Sequence, residues 1–192
     1  MEEIEVKFLD IHVSDLEIKL IALGAQKQFD KLYRRRVYDY PDLRLNTDHS
    51  WVRIRDEGDK VTMGFKRRIV NLEGNQEKND ISMEEVEIEV SDFEKTALIL
   101  EKIGLTLKFY QENRRIRYTF EGIEFDIDFW PQLNPYLEIE AHSWDEIDRA
   151  INLLSLNPAD KKIFSTNQIY KINGIRSLDY IEMTFDRMVK RV

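Results

Sequence analysis

The chain has no cysteine, which excludes a disulfide framework, a thiolate nucleophile and any sulfur-ligated zinc or iron–sulfur site. It has no HExxH helix and no glycine-rich phosphate loop, and His12, His49 and His142 are too scattered for a metal site or a catalytic triad. No apolar run approaches the roughly 20 residues needed to span a bilayer. The first residues are acidic, where a secretion signal is basic and then apolar. The expectation is a cytoplasmic protein with no membrane partner. Positive charge is also in deficit. The formal net charge of −8 opposes general binding to nucleic acid, which needs a basic surface to neutralise phosphates. A local cationic pocket remains compatible with that total.

What the chain does have is charge arranged at period two. In Glu3-Ile4-Glu5-Val6-Lys7, strand geometry sends Glu3, Glu5 and Lys7 to one face and Ile4, Val6 and Phe8 to the other. Any one such strand fits a sheet wetted on one side. The pattern recurs, however, in Trp51–Arg55, Lys60–Ile69, Glu85–Val90, Lys108–Phe120, Ile123–Phe129 and Tyr136–Ala141. The polar faces carry mostly arginine and carboxylate, where a plain solvated face mixes in Ser, Thr and Gln. Tyr33–Tyr40 also reads as a strand, with three adjacent arginines, Arg34, Arg35 and Arg36, so that one face must take two of them. Asp56-Glu57-Gly58-Asp59 is hairpin-turn chemistry. Ser14, Ser91-Asp92 and the acids near Trp144 open helices, and Ser165 or Thr166 caps a short one through Ile172. Residues 71–80 form a polar connection, and the tail past Gly174 is either helical or loose.

About eight strands in two halves, each half followed by a helix, give an α+β expectation: an eight-stranded antiparallel β-barrel with helices outside. With 42% hydrophobic and 34% charged residues, a single domain with a tail is expected. If helices cover the outside, apolar residues point outward and charges point into a polar tunnel. The lining acids are then Glu3, Glu5, Glu85, Glu87, Asp126, Asp128, Glu138 and Glu140. The lining bases are Lys7, Arg53, Arg55, Lys66, Arg68, Arg115 and Arg117. Clustered carboxylates raise one another's pKa unless a hard divalent cation sits among them, and oxygen-only ligands favour Mg2+ or Mn2+ over zinc. Clustered arginine grips phosphate through paired hydrogen bonds. Together these point to a metal-bound polyphosphate.

Glu3-Ile4-Glu5-Val6-Lys7 resembles the ExExK motif of the CYTH superfamily, the triphosphate tunnel metalloenzymes, which include class IV adenylate cyclases and thiamine and inorganic triphosphatases. Trp51-Val52-Arg53-Ile54-Arg55 is similar to that family's paired-arginine strand and Phe65-Lys66 to its lysine strand. Glu85-Val86-Glu87 resembles its acidic strand and Arg114–Tyr118 its second basic strand. Asp128 with Glu138-Ile139-Glu140 resembles its terminal Asp and ExE. The likeness runs from the first strand to Tyr170, which implies a tunnel domain over 1–174 and a tail over 175–192.

The resemblance implies Mg2+ or Mn2+ held by Glu3, Glu5, Asp128, Glu138 and Glu140. It implies catalytic roles for Lys7, Arg55, Lys66 and Arg115, with Arg53 joining them on the substrate. Glu85 and Glu87 position the bases. Arg68 and Arg117 are added to the substrate set from strand alternation, and Arg36 because Arg34 and Arg36 stand where the family carries Gln and Asp. The implied activity is metal-dependent hydrolysis of a small-molecule triphosphate, by a monomer or homodimer. A class IV cyclase making cyclic AMP is the alternative enzyme, and a polyphosphate- or nucleotide-binding module is the non-catalytic alternative. The class IV cyclases share a His-Phe extension ahead of ExExK, and this sequence starts almost at the motif.

Overall fold

The structure is a computed structural model that describes residues 4–69 and 82–191; Glu3 and the polar connection expected at 71–80 lie outside the described residues. The strands are β1 (Ile4–Phe8), β2 (Gln26–Asp39), β3 (Ser50–Asp56), β4 (Val61–Ile69), β5 (Ser82–Val90), β6 (Thr106–Phe120), β7 (Ile123–Phe129), β8 (Tyr136–Ala141), β9 (Tyr180–Met183) and β10 (Met188–Lys190). The helices are α1 (Val13–Ala22), α2 (Arg44–Thr47), α3 (Phe93–Lys102), α4 (Trp144–Leu153) and α5 (Thr166–Ile172). The α+β class is as expected. The chain divides into two compact units, Met1–Lys31 with Asn113–Ser177, and Leu32–Glu112 with Leu178–Val192.

In the first unit the strand order is β1-β8-β7-β6, antiparallel throughout, with β2 beside β6. The register sets Val6 opposite Ile139, Ile139 opposite Phe125 and Phe125 opposite Tyr118, so one apolar row crosses four strands. Leu16 and Leu20 of α1 and Ile147, Ala150 and Ile151 of α4 bury that face. Because side chains alternate, the remaining face receives Lys7, Arg115, Arg117 and the acids of β7 and β8. Ser143 caps α4 by accepting a hydrogen bond from the Glu146 amide, and Ser165 with Gln168 forms a reciprocal capping box on α5.

The second unit orders its strands β2-β3-β4-β5, with β6 on the other side of β2. Tyr38 and Ile54 meet Phe93, Ala97 and Leu100 of α3, while Asp92 caps that helix by accepting from the Lys95 amide at 2.8 Å. The tail, expected to be helical or loose, instead forms β9 and β10: β9 runs parallel to β6 through Tyr110 and Gln111, and β10 folds back on β9. Among the described residues β1 forms a ladder only with β8, and β5 only with β4. The ladders thus end at β1 and β5 instead of closing into the hydrogen-bonded barrel expected from the sequence. No helix among the described residues is long and apolar enough to cross a membrane.

The division into a buried apolar face and a charged one is testable at single positions. Ile151 is 1% exposed under the first unit's sheet, whereas Ile18 on α1 is 66% exposed. Ile151→Ala is expected to cost about 2–5 kcal/mol in urea denaturation, and Ile18→Ala less than about 0.5 kcal/mol.

Candidate functional site

On the polar face of the first unit, adjacent strands align Lys7, Glu138, Asp126 and Arg117 in one row. Arg115 and Asp128 face each other in the row beside it. Asp128 is fully buried, Asp126 is 1% exposed and Glu138 is 6% exposed. Carboxylates that deep survive as anions only when paired. Arg115 supplies most of the pairing: its Nε and Nη2 donate to the two Asp128 oxygens at 2.7 and 2.6 Å, Nη2 also to Glu138 at 2.9 Å, and Nη1 lies 2.5 Å from Asp126. Arg117 clamps Asp126 through Nε and Nη2 at 2.7 and 2.6 Å and touches Glu124. The Lys7 ammonium lies 3.0 Å from Glu138 and contacts Glu5.

Burial alone pushes Glu138 up, but the charges of Arg115 and Lys7 outweigh it and hold the carboxyl down at about 2. Asp128 is pushed up, because its burial, with Glu138 and Asp126 beside it, exceeds what Arg115 returns. The two differ because Lys7 bonds to Glu138 and not to Asp128. Arg115 and Arg117 are both raised against the effect of their own burial, by Asp128 and Glu138 in one case and by Asp126 and Glu124 in the other.

The next row on the same face reads Glu5, Glu140, Glu124 across three neighbouring strands, with no cation among them. Like charges directly opposite one another destabilise a sheet. One oxygen from each of Glu124, Asp126 and Glu140 lies within 4.8 Å of the others, an oxygen-only cluster suited to a hard divalent cation.

The second unit carries the opposite imbalance. Its polar face sets Arg35 opposite Arg55, and the neighbouring row runs Val37, Arg53, Gly64, Glu87. Arg53 reaches past Gly64 to Glu87 at 3.1 Å and lies 3.9 Å from Glu85, while Lys66 donates to Glu85 at 2.6 Å. A Cβ on Gly64 would stand 3.2 Å from the Val86 carbonyl and 3.5 Å from a Glu87 carboxylate oxygen, so only glycine leaves this crossing open. The buried Nε atoms of Arg53 and Arg55 have no acceptor. Arg53 is lowered by burial and then by Arg55, and Lys66 by burial and then by Arg53, both in excess of what Glu85 and Glu87 restore.

The positions expected from the sequence therefore divide between the units. Lys7, Glu5, Arg115, Arg117, Asp128, Glu138 and Glu140 share the first unit's polar face, and Arg53, Arg55, Lys66, Glu85 and Glu87 share the second's. Arg68 lies on that second face by alternation, its guanidinium 5.6 Å from the Trp51 ring. Glu3 lies outside the described residues. Arg36 is a correction. It pairs across to Ile54, which turns it to the helix side, where it donates to Glu94 of α3 at 2.8 and 3.0 Å and stacks over Phe93 at 5.0 Å. Of the three adjacent arginines, it is Arg35 that joins Arg55. Glu124, a member of the acidic cluster, and Glu57, buried beside Arg55, were both missed by the sequence reading. Glu124 alternates in phase with Asp126 and Asp128, so its face was legible; Glu57 lies in a turn, where period two gives no signal.

Residues 1–186 match the model of the CYTH domain family. No curated protein matches the sequence. Among solved structures, the chain is similar to a Pyrococcus horikoshii OT3 protein at a TM-score of 0.69 and 20% identity, over 87% of this chain and 98% of that one. A Vibrio parahaemolyticus protein named as a candidate adenylate cyclase superposes at 0.68 and 14% identity, over 89% and 98% of the two chains. A Hippeastrum protein described by its dominant triphosphatase activity superposes at 0.61 and 15%, over 93% and 99%. At these identities the structural likeness establishes the fold.

The contrast between the two arginine environments predicts a contrast in stability. Arg115→Met strands the buried Asp128 and takes one of two cations from Glu138 and Asp126, which keep Lys7 and Arg117, and is expected to cost about 3–5 kcal/mol in chemical denaturation. Arg53→Met removes a cation that its neighbours do not fully compensate, and releases Glu87, whose side chain is 26% exposed and can rehydrate. Its cost is expected to be about 1 kcal/mol or less by the same measurement.

Proposed function

Because this chain belongs to the CYTH family, we propose that it hydrolyses a small-molecule triphosphate, inorganic tripolyphosphate or a small organic triphosphate, with Mg2+ or Mn2+. The observation that carries this reading is the crowding of like charge on each polar face: Glu5, Glu140 and Glu124 aligned in one row of the first unit, and Arg35 opposite Arg55 in the second. A divalent cation answers the first and an anionic phosphate chain the second. The donor set fits the metal, since Glu124, Asp126 and Glu140 converge and supply only hard oxygens. Those three would hold it, with Glu5 in the same row. When bound, such a cation supplies neutralisation of phosphate oxygens and acidification of water.

The remaining work falls to the chain's own side chains. Arg53, Arg55 and Lys66 bind phosphate oxygens through donors that Glu85 and Glu87 leave incompletely used. Charge that builds on the leaving phosphate is stabilised by Arg53 and Lys66, while Arg55 grips the phosphate chain throughout. Arg115 holds Asp128 and Glu138 in place through hydrogen bonds, and with Lys7 it keeps Glu138 ionised. Glu85 and Glu87 aim Lys66 and Arg53.

The deciding assay incubates the protein with tripolyphosphate and with ATP, under Mg2+ and Mn2+ in turn, and compares orthophosphate with cyclic AMP. Orthophosphate in large excess is expected. Cyclic AMP as the main product selects the cyclase, and binding without turnover selects the non-catalytic module. Glu140→Ala is the matching variant, since Glu138 is locked into the Lys7 and Arg115 pairs and its removal also disturbs folding. Glu140→Ala is expected to lower turnover about 100-fold with an unchanged melting temperature. Unchanged turnover overturns the metal assignment.

A further inference from the structure

One acid of the second unit takes no part in the reading above. Glu57 belongs to the four-residue turn between β3 and β4, whose following residues Gly58, Asp59 and Lys60 are all exposed, yet Glu57 itself is only 7% exposed. The turn is closed by the Glu57 amide donating to the Lys60 carbonyl at 2.9 Å and by Gly58 at φ 89°. Asp56 accepts from the Gly58 amide at 2.8 Å and pairs with Arg34 on the strand before it. That leaves the Glu57 side chain folded back over the end of β3. One carboxylate oxygen lies 2.5 Å from Nη2 of Arg55, and the other is 3.9 Å from the Lys60 ammonium.

A buried carboxylate in a turn is costly unless it holds something in place. Turn geometry does not require it here, because the closing hydrogen bonds use backbone atoms and Asp56. What Glu57 holds is one corner of the Arg55 guanidinium. Glu87 is farther from it, at 3.8 Å, and the Arg55 Nε has no acceptor. The ion pair holds the guanidinium at Nη2, while the Arg55 side chain stays 24% exposed on the polar face. Arg55 also faces Arg35 directly across the sheet, so without an anchor its side chain is repelled from its own strand neighbour.

We propose that Glu57 is a positioning residue: its ion pair with Nη2 holds the Arg55 guanidinium against the repulsion of Arg35, so that the exposed part of that side chain meets a phosphate oxygen of the substrate. The inference rests on the triphosphatase reading. It predicts an effect on substrate binding and little on the chemical step, because a misaligned Arg55 weakens the grip on the phosphate chain in ground and transition state alike.

The test compares steady-state hydrolysis of tripolyphosphate, and its binding by calorimetry, in wild type, Glu57→Ala, Glu57→Gln, Arg55→Ala and the Glu57→Ala/Arg55→Ala double variant. Glu57→Ala is expected to raise KM and the calorimetric Kd about ten-fold while changing kcat less than about two-fold. Glu57→Gln keeps the turn's shape but removes the charge of an ion pair that has no hydrogen bond to fall back on, and is expected to raise KM nearly as far as Glu57→Ala. In the Arg55→Ala background, Glu57→Ala adds nothing. A Glu57→Ala enzyme with unchanged KM, or one whose penalty adds in full without Arg55, overturns the positioning role and leaves the triphosphatase reading standing. A wild type that neither binds nor hydrolyses tripolyphosphate or ATP overturns the functional reading, and this inference with it.

Discussion

The structure depends on one electrostatic constraint: a sheet whose apolar face is taken by helices must put its charges on the other face, and there they need partners. In the first unit α1 and α4 occupy the apolar side, so Asp126, Asp128 and Glu138 are left buried on the polar side. An isolated buried carboxylate gives up its charge, since desolvation disfavours the anion. Arginine is the side chain that can prevent this in so little space, because one planar fork serves two carboxylates at once with fixed geometry. Arg115 does this for Asp128, Glu138 and Asp126 together. Lysine at that position would present a point charge and could not span the three.

The partnering is incomplete in a way that differs between the units. On the first unit's polar face Lys7, Arg115 and Arg117 meet six described carboxylates, Glu5, Glu124, Asp126, Asp128, Glu138 and Glu140. The surplus is negative, and it is concentrated in the row that contains no cation. On the second unit's polar face the surplus is positive and deep: Arg53 is 8% exposed and held below its usual value, as is Lys66. The raised values of Arg115 and Arg117 on one polar face and the lowered values of Arg53 and Lys66 on the other are the same imbalance seen from the bases. Folding alone favours neither arrangement, because replacing uncompensated ions with apolar residues is commonly neutral or stabilising.

Much of this was legible from period two alone. Alternation assigned Arg53, Arg55, Lys66, Arg115, Asp128, Glu138 and Glu140 to polar faces; cap residues marked the starts of α3 and α5 and early acids that of α4, whereas α1 begins at Val13, ahead of the expected Ser14. Where the pattern is ambiguous, the reading went astray. Three consecutive arginines satisfy either phase, and the choice between Arg35 and Arg36 is made by α3, which offers Glu94 and the Phe93 ring to whichever arginine faces it. The tail strands have four and three residues, too few to display a period, and they form because β6 extends an edge for β9 to join. Closure of a barrel was inferred from strand count. Strand count fixes how many ladders form, but the pairing of the last strand with the first is set by stagger, which no single strand's sequence encodes.

Gly64 shows how a small local choice serves the charged face. A glycine inside a strand sacrifices roughly 0.5–1 kcal/mol relative to alanine, so its presence mid-strand calls for a reason. It lies directly between Arg53 and Glu87 in the register, and any side chain there would crowd the Val86 carbonyl and the Glu87 carboxylate. With glycine, Arg53 reaches two strands over to Glu87 while its Nε stays without an acceptor. The central strand therefore contributes an absence of side chain. That gap, more than any added group, lets a buried arginine reach its carboxylate across an intervening strand.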